Sequence, residues 1–222
     1  MFQNDLIGIA IVYIYVSFLL VLTEKFLSKR YPIVGRKILH IMVGNIAFIL
    51  PIFQTREIMA FIAAGPFILL TFLMSRHSPI KSIRGKTSEA GHGLGLVYYA
   101  ITWTVLAYLF FDHKEIIAIG ILAMSYGDGL ASIIGIRFGK KKYQIFKDVK
   151  SYIGSASMFV FTFITMIIAL LFYDISLTLE TTFLLMCIAV ISAIVEGITP
   201  MGLDNLSVPF VAITLYWFVI VV

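Results

Sequence analysis

Asp128 stands between two glycines inside the stretch Met124 to Lys142, which reads MSYGDGLASIIGIRFGKKK. A carboxylate inside an apolar segment costs about 2.5–3.5 kcal/mol on membrane-insertion scales, so it calls for a cation, a basic side chain or a water-filled cavity. The same stretch ends in Lys140, Lys141 and Lys142. Lys150 and Ser151 then precede Gly154 and Ser155 at the start of the next apolar run. Ser151 can cap a helix there, and the N–H groups and positive dipole end of that helix suit an anion. Glu196 closes a later apolar run, and the loop after it, GITPMGLDNLSVP, adds Asp204 and Asn205 but no Lys or Arg. With Asp128, these carboxylates could supply oxygen ligands to Mg²⁺, which takes carboxylates together with phosphate oxygens and water. The residue types suit a metal-bound phosphate, although the P-loop pattern G-x-x-x-x-G-K-[ST] occurs nowhere.

Other groups are open to two readings. Arg36, Lys37 and His40 are three and four residues apart, so one helical face can present all three. They could clamp a phosphate or headgroup, or anchor the helix at the interface. Glu89 and His92 lie in the glycine-rich stretch KSIRGKTSEAGHGLG before Tyr98 and Tyr99, where glycine permits either close approach to a ligand or a plain turn. Ala131, Ser132 and Gly135 follow Asp128 on a small-residue stripe of the kind that packs helices. Asp204, Asn205 or Ser207 could cap the last helix, with Pro209 in its first turn.

The elements that must carry these residues follow from composition. The 222-residue chain is 60% hydrophobic and only 13% charged. Apolar runs of about 20 residues match bilayer-spanning helices. Eight spans are expected, at about 5–27, 37–53, 56–74, 93–111, 115–137, 151–173, 177–196 and 206–222. Backbone satisfaction in lipid favours helices, so the expected fold is all-α, a polytopic membrane protein of one domain over 1–222. Of the 17 Lys and Arg residues, the first, third and fifth loops hold 15, which puts those loops in the cytoplasm and both termini outside. The first segment lacks a cleavage pattern and is read as a span, not a signal peptide. Cys187 lies in an apolar run and, as the single cysteine, makes no intrachain disulfide.

Four motifs in order, RKILH (36–40), GDGLASIIGIRFGK (127–140), KSYIGS (150–155) and EGITPMGLDN (196–205) with a proline four residues on, resemble the CTP-dependent lipid-alcohol kinases. That family includes dolichol kinase, phytol kinase and a CTP-dependent diacylglycerol kinase. The resemblance covers about residues 36–210, and the glycine stretch with Tyr98 and Tyr99 looks like the phytol kinase branch. It implies transfer of the γ-phosphoryl of CTP to a membrane alcohol (a polyprenol, phytol or geranylgeraniol, or diacylglycerol) at the cytosolic face. It further implies Asp128, Asp204 and Glu196 as Mg²⁺ ligands, with Glu196 also a candidate base. Lys140, Lys150, Ser151, Gly154 and Ser155 would hold phosphates, with Asn205 among the nucleotide-binding residues. Arg36, Lys37 and His40 would hold the triphosphate or the product phosphate. The expected partners are CTP, the lipid alcohol and the bilayer, with no nucleic acid, and the expected location is a prokaryotic plasma membrane. The chain is shorter than dolichol kinase and lacks its extra N-terminal spans. It also lacks the fuller signature of the related cytidylyltransferases, which would make a CDP-lipid. An ion-coupled carrier would need polar groups along the whole path, and the outer half of nearly every span is apolar.

Overall fold

The computed structural model describes residues 2–86, 93–146 and 148–221; Glu89, His92 and Lys147 lie outside the described residues. The chain is mostly helical and divides into two compact units, Met1–Lys114 and Glu115–Val222.

In unit 1, α1 (Phe2–Leu22) runs on through a π-turn, Thr23–Leu27. Next comes α2 (Pro32–Gly44), which starts with proline where its missing N–H is harmless and ends in two short 3₁₀ turns reaching Ile52. A π-turn at Ile58–Ala64 leads into α3 (Pro66–Met74). Pro66 explains that turn: it cannot donate to the ladder, and the Gly65 N–H reaches back five residues to the Ala60 carbonyl at 2.8 Å. The unit ends with α4 (Gly95–Leu109). Leu19, Leu39 and Leu96 pack together at its core, with Tyr15, Leu20 and Val43 against them. The buried Asp5 carboxylate accepts bonds from the Gln54 and Thr55 N–H groups and the Thr55 hydroxyl, tying the start of α1 to the turn after Ile52.

Unit 2 opens with α5 (Lys114–Leu122, its first residue belonging to unit 1), a π-turn at Ala123–Asp128 and α6 (Gly129–Phe138). The residues Ile116–Met124 are buried, which accounts for a segment apolar on every face. Then come β1 (Lys142–Ile145), β2 (Asp148–Ser151), α7 (Tyr152–Phe172), α8 (Leu179–Ile198) and α9 (Asp204–Tyr216). The two strands pair antiparallel, Tyr143 opposite Lys150 and Ile145 opposite Asp148. The chain is mostly helical, as expected; the hairpin is a short addition that falls on the expected fifth loop, up to Lys150, and on Ser151, the expected cap of the sixth span.

Among the described residues five stretches are long and apolar enough to cross a membrane: Gln3–Leu27, Pro32–Ile52, Lys114–Phe138, Tyr152–Phe172 and Leu179–Ile198. The other three expected spans form shorter apolar helices, Ile58–Met74, Gly95–Leu109 and Asp204–Val219. At about 1.5 Å per residue, the 15 residues of α4 reach about 22 Å, short of a hydrocarbon core of about 30 Å. The last helix also begins differently from expectation. Asp204 is its first residue, no side chain caps it, and Pro209 lies inside it, past the first turn. There Pro209 cannot donate to the Asn205 carbonyl.

Candidate active site

The site in unit 2 starts from a helix contact. Gly154 of α7 sits against Ala131 and Gly135 of α6: a Cβ on Gly154 would lie 3.0 Å from the Ala131 carbonyl oxygen and 3.5 Å from the Gly135 Cα. A Cβ on Gly135 would come within 2.8 Å of the Ser151 hydroxyl, and one on Gly139 would strike the Gly135 carbonyl oxygen and the Ser151 side chain. The small residues after Asp128 therefore bring α6 and the start of α7 together. Gly127 does the same a turn earlier, leaving room for Thr162 and Met158.

Asp128 ends the π-turn between α5 and α6 and is only 3% exposed. A π-turn inserts one residue into the ladder and re-aims the side chains around it. Ser132, one turn on, donates to Asp128 Oδ1 at 3.4 Å. Glu196 is buried near the end of α8, and Asp204 opens α9. One oxygen from each of Asp128, Glu196 and Asp204 lies within 4.8 Å of the others. Three carboxylates at that spacing repel one another unless a cation sits among them. The all-oxygen donor set and the burial fit a hard divalent cation.

Lys150 reaches the same place from β2. Its ammonium donates to Glu196 Oε1 at 2.7 Å, to the Glu196 carbonyl, and to the Thr199 carbonyl at 3.3 Å. Burial opposes the charge on Lys150, but Glu196, Asp204 and Asp128 outweigh it and hold its pKa above the ordinary lysine value. Asp204 Oδ1 accepts the Asn205 N–H at 3.0 Å and the Asn205 Nδ2 at 3.1 Å, and the same amide nitrogen donates to the Gly202 carbonyl at 2.9 Å. Asn205 thus fixes Asp204 at the start of α9. In that loop Met201 and Gly202 both take positive φ, 58° and 78°. Asp148 Oδ2 holds the Met201 N–H at 2.8 Å, so the hairpin grips the loop at its strained residue.

Of the other residues expected at the site, Ser151 does cap α7, accepting the Gly154 N–H at 3.1 Å. That bond takes up the Gly154 N–H, and the Tyr152 N–H goes to the Lys141 carbonyl at 3.3 Å, so two first-turn donors of α7 are already engaged. Ser155 shares a hydrogen bond with the Tyr143 hydroxyl at 2.7 Å. Lys140 is exposed just beyond the end of α6. Arg36 and His40 are buried and Lys37 half-buried on α2, all in unit 1. Two residues escaped the sequence reading: Asp148 and Tyr143. Tyr143 pairs across from Lys150, so both side chains leave the hairpin on one face. Its hydroxyl lies 3.0 Å from where a Cβ on Gly197 would stand, beside Glu196. The alternation in KYQI, with Tyr143 and Ile145 on one side, was the available signal.

No protein-family model matches the chain, and no solved structure does. Curated relatives do. The chain is 32% identical over 186 residues to the phytol kinase of Synechocystis sp., covering 83% of this chain and 78% of that one. It is 31% identical over 217 residues to phytol kinase 1, chloroplastic, of Arabidopsis thaliana, covering 89% and 71%. It is 30% identical over 205 residues to the probable phytol kinase, chloroplastic, of Triticum aestivum, covering 85% and 67%. With so much of both chains shared, this chain belongs to the phytol kinase family of lipid-alcohol kinases.

Proposed function

We propose that the chain transfers the γ-phosphoryl group of CTP to the hydroxyl of an isoprenoid alcohol of the phytol or geranylgeraniol type, at the cytosolic face of a prokaryotic plasma membrane. The observation that carries this is the convergence of Asp128, Glu196 and Asp204, with Lys150 bonded to Glu196. Relatives named phytol kinase support the acceptor class, and the gathering of Lys and Arg in alternate loops supports the cytosolic orientation.

Phosphoryl transfer needs positioning and charge neutralisation more than covalent chemistry. Asp128 and Asp204 would hold Mg²⁺, which when bound would supply positive charge to the phosphates, while Glu196, the alternative third ligand, is taken here as the base. The substrate hydroxyl oxygen forms the new bond to the γ-phosphorus. The bond from that phosphorus to the β-bridging oxygen breaks, and its electron pair leaves with CDP. The hydroxyl proton passes to the Glu196 carboxylate, whose other oxygen Lys150 holds. Lys140 and the neighbouring lysines, exposed beyond α6, meet the triphosphate from solvent, with Ser151, Gly154 and Ser155 framing the start of α7.

The test is incubation of the purified chain with phytol and CTP labelled at the α or the γ position, with and without Mg²⁺. Label moving from the γ position into the lipid supports the kinase. Label moving from the α position would mean a CDP-lipid and defeats it. Asp128→Asn is expected to lower turnover at least about a hundredfold while membrane insertion persists, and normal turnover in that variant removes Asp128 from the mechanism.

A further inference from the structure

Gly197 follows Glu196 and takes no part in the transfer chemistry, but its missing side chain leaves room for another residue. A Cβ there would lie 3.0 Å from the Tyr143 hydroxyl, closer than an ordinary van der Waals contact, and 4.0 Å from the Cζ of that ring. Tyr143 comes from β1, opposite Lys150 on β2, so the two side chains leave the hairpin on one face. Its hydroxyl shares a hydrogen bond with the Ser155 hydroxyl of α7 at 2.7 Å. Its ring lies beside that of Tyr152, with centroids 5.2 Å apart and planes tilted by 52°. One side chain of the hairpin thus meets α7 and α8 together, next to the lysine that holds Glu196.

Lys150 does not place itself. A lysine stem has many rotamers, so the point on β2 from which it starts decides what the ammonium can reach. From that point it reaches the Glu196 carboxylate and the Glu196 and Thr199 carbonyls at once. An isolated two-stranded hairpin is marginal in water, so docking on the helices has to fix the starting point. Asp148 docks the end near the turn, on the Met201 N–H. Tyr143 docks the strand pair level with Lys150 itself. The same bond engages the Ser155 hydroxyl, which the resemblance in KSYIGS gives to a phosphate.

We infer that Tyr143 is a positioning residue: seated in the notch at Gly197 and bonded to Ser155, it sets Lys150 on Glu196. Its effect on phosphoryl transfer rests on the kinase reading above; the seating of Lys150 does not.

The experiment has two arms, both on the purified full-length chain. In the first, wild type, Tyr143→Phe, Ser155→Ala and the double variant are briefly acetylated with an amine-reactive ester, and each lysine is followed by peptide mass spectrometry. A buried amine is labelled through local opening, and the loss of one hydrogen bond shifts such an opening by about tenfold. Lys150 should therefore be labelled about tenfold faster in either single variant, and no faster in the double variant, while the exposed Lys140 and Lys141 keep their wild-type rates. An unchanged rate at Lys150, or an equal rise at every lysine, overturns the inference. The two single variants break one bond from opposite sides, so if one does not fold the other decides. In the second arm, transfer from γ-labelled CTP to phytol is followed at varied CTP. Tyr143→Phe and Ser155→Ala should each lower kcat about tenfold with KM for CTP unchanged within about twofold, and Ser155→Thr, which keeps a hydroxyl, should restore turnover. A raised KM for CTP in Ser155→Ala with normal kcat overturns the inference by making Ser155 a phosphate ligand. Release of Lys150 as expected, with no transfer from CTP by wild type, leaves the seating standing and removes the kinase reading. Transfer by wild type with Lys150 unmoved in Tyr143→Phe removes the positioning role alone.

Discussion

Replacing Lys150 by methionine keeps most of the side-chain stem and removes the ammonium. The Lys150 and Glu196 side chains are only 14% and 9% exposed, so the pair is not a surface ion pair of the kind worth 1 kcal/mol or less. Removing one member of a buried pair typically costs about 3–5 kcal/mol, because the other charge stays buried. Here the Glu196 and Thr199 carbonyls lose a donor as well. Because Lys150 sits on a hairpin outside the helices, the lower figure, about 3 kcal/mol, is the better expectation. At about 2–4 °C per kcal/mol for a chain of this size, the thermal midpoint should fall by roughly 6–12 °C. The assay is thermal unfolding in detergent of wild type, Lys150→Met, Glu196→Gln and the double variant. The double variant should be little worse than Lys150→Met, a coupling of about 2 kcal/mol. A coupling below about 0.5 kcal/mol would show that the two groups do not depend on each other, and would refute the reasoning. Mg²⁺ adds a second readout. Without Lys150 the cluster has lost its ammonium, so the cation should raise the midpoint of Lys150→Met more than that of wild type. Equal shifts would argue against a cation among the carboxylates.

The same pair has a pH signature. The folded pKa of Lys150 is raised above 10.5, so its contribution is complete below that value and is lost only as pH climbs through the higher folded value. The midpoint gap between wild type and Lys150→Met should therefore stay level through neutral pH and close only in strong alkali; closure near neutrality would contradict the assignment. Gly139→Ala should destabilise by about 2–3 kcal/mol, because its Cβ meets the Gly135 backbone, while Gly135→Ala should cost about 1 kcal/mol because the Ser151 hydroxyl can turn aside. Equal losses in chemical denaturation would count against the α6–α7 packing described here. Ser151→Ala should cost about 1 kcal/mol through loss of the cap on Gly154, and a change below about 0.3 kcal/mol would mean that the cap is idle.

How far the site could be read from sequence depended on which physical rule placed each residue. Asp128 stood out because a charge inside an apolar span is costly wherever the helix packs. Ser151 was legible as a cap because capping is local, set by its own hydroxyl and the next turn. The hairpin was not. KYQIFKDVKS alternates for only four residues a side and carries three lysines, a weak strand signal. What holds it is distant in sequence: Lys150 on Glu196 and Asp148 on the Met201 N–H. The start of α9 failed for a similar reason. Asp204, Asn205 and Ser207 all have cap-forming side chains, yet the left-handed pair Met201 and Gly202 turns the chain so that the helix already begins at Asp204.

That early start bears on function. It puts Asp204 in the first turn, where its Oδ1 accepts from Asn205, and so near Asp128 and Glu196. Asp148 is the residue that couples the α8–α9 loop to the hairpin, and through Lys150 the hairpin is coupled to Glu196. One two-stranded element, whose strands carry no ligand oxygen of the cluster, thus holds Glu196 directly and the loop leading to Asp204 at Met201. The hairpin matters here as the clamp on the loop that joins Glu196 to Asp204, and the spacing of those two carboxylates depends on it.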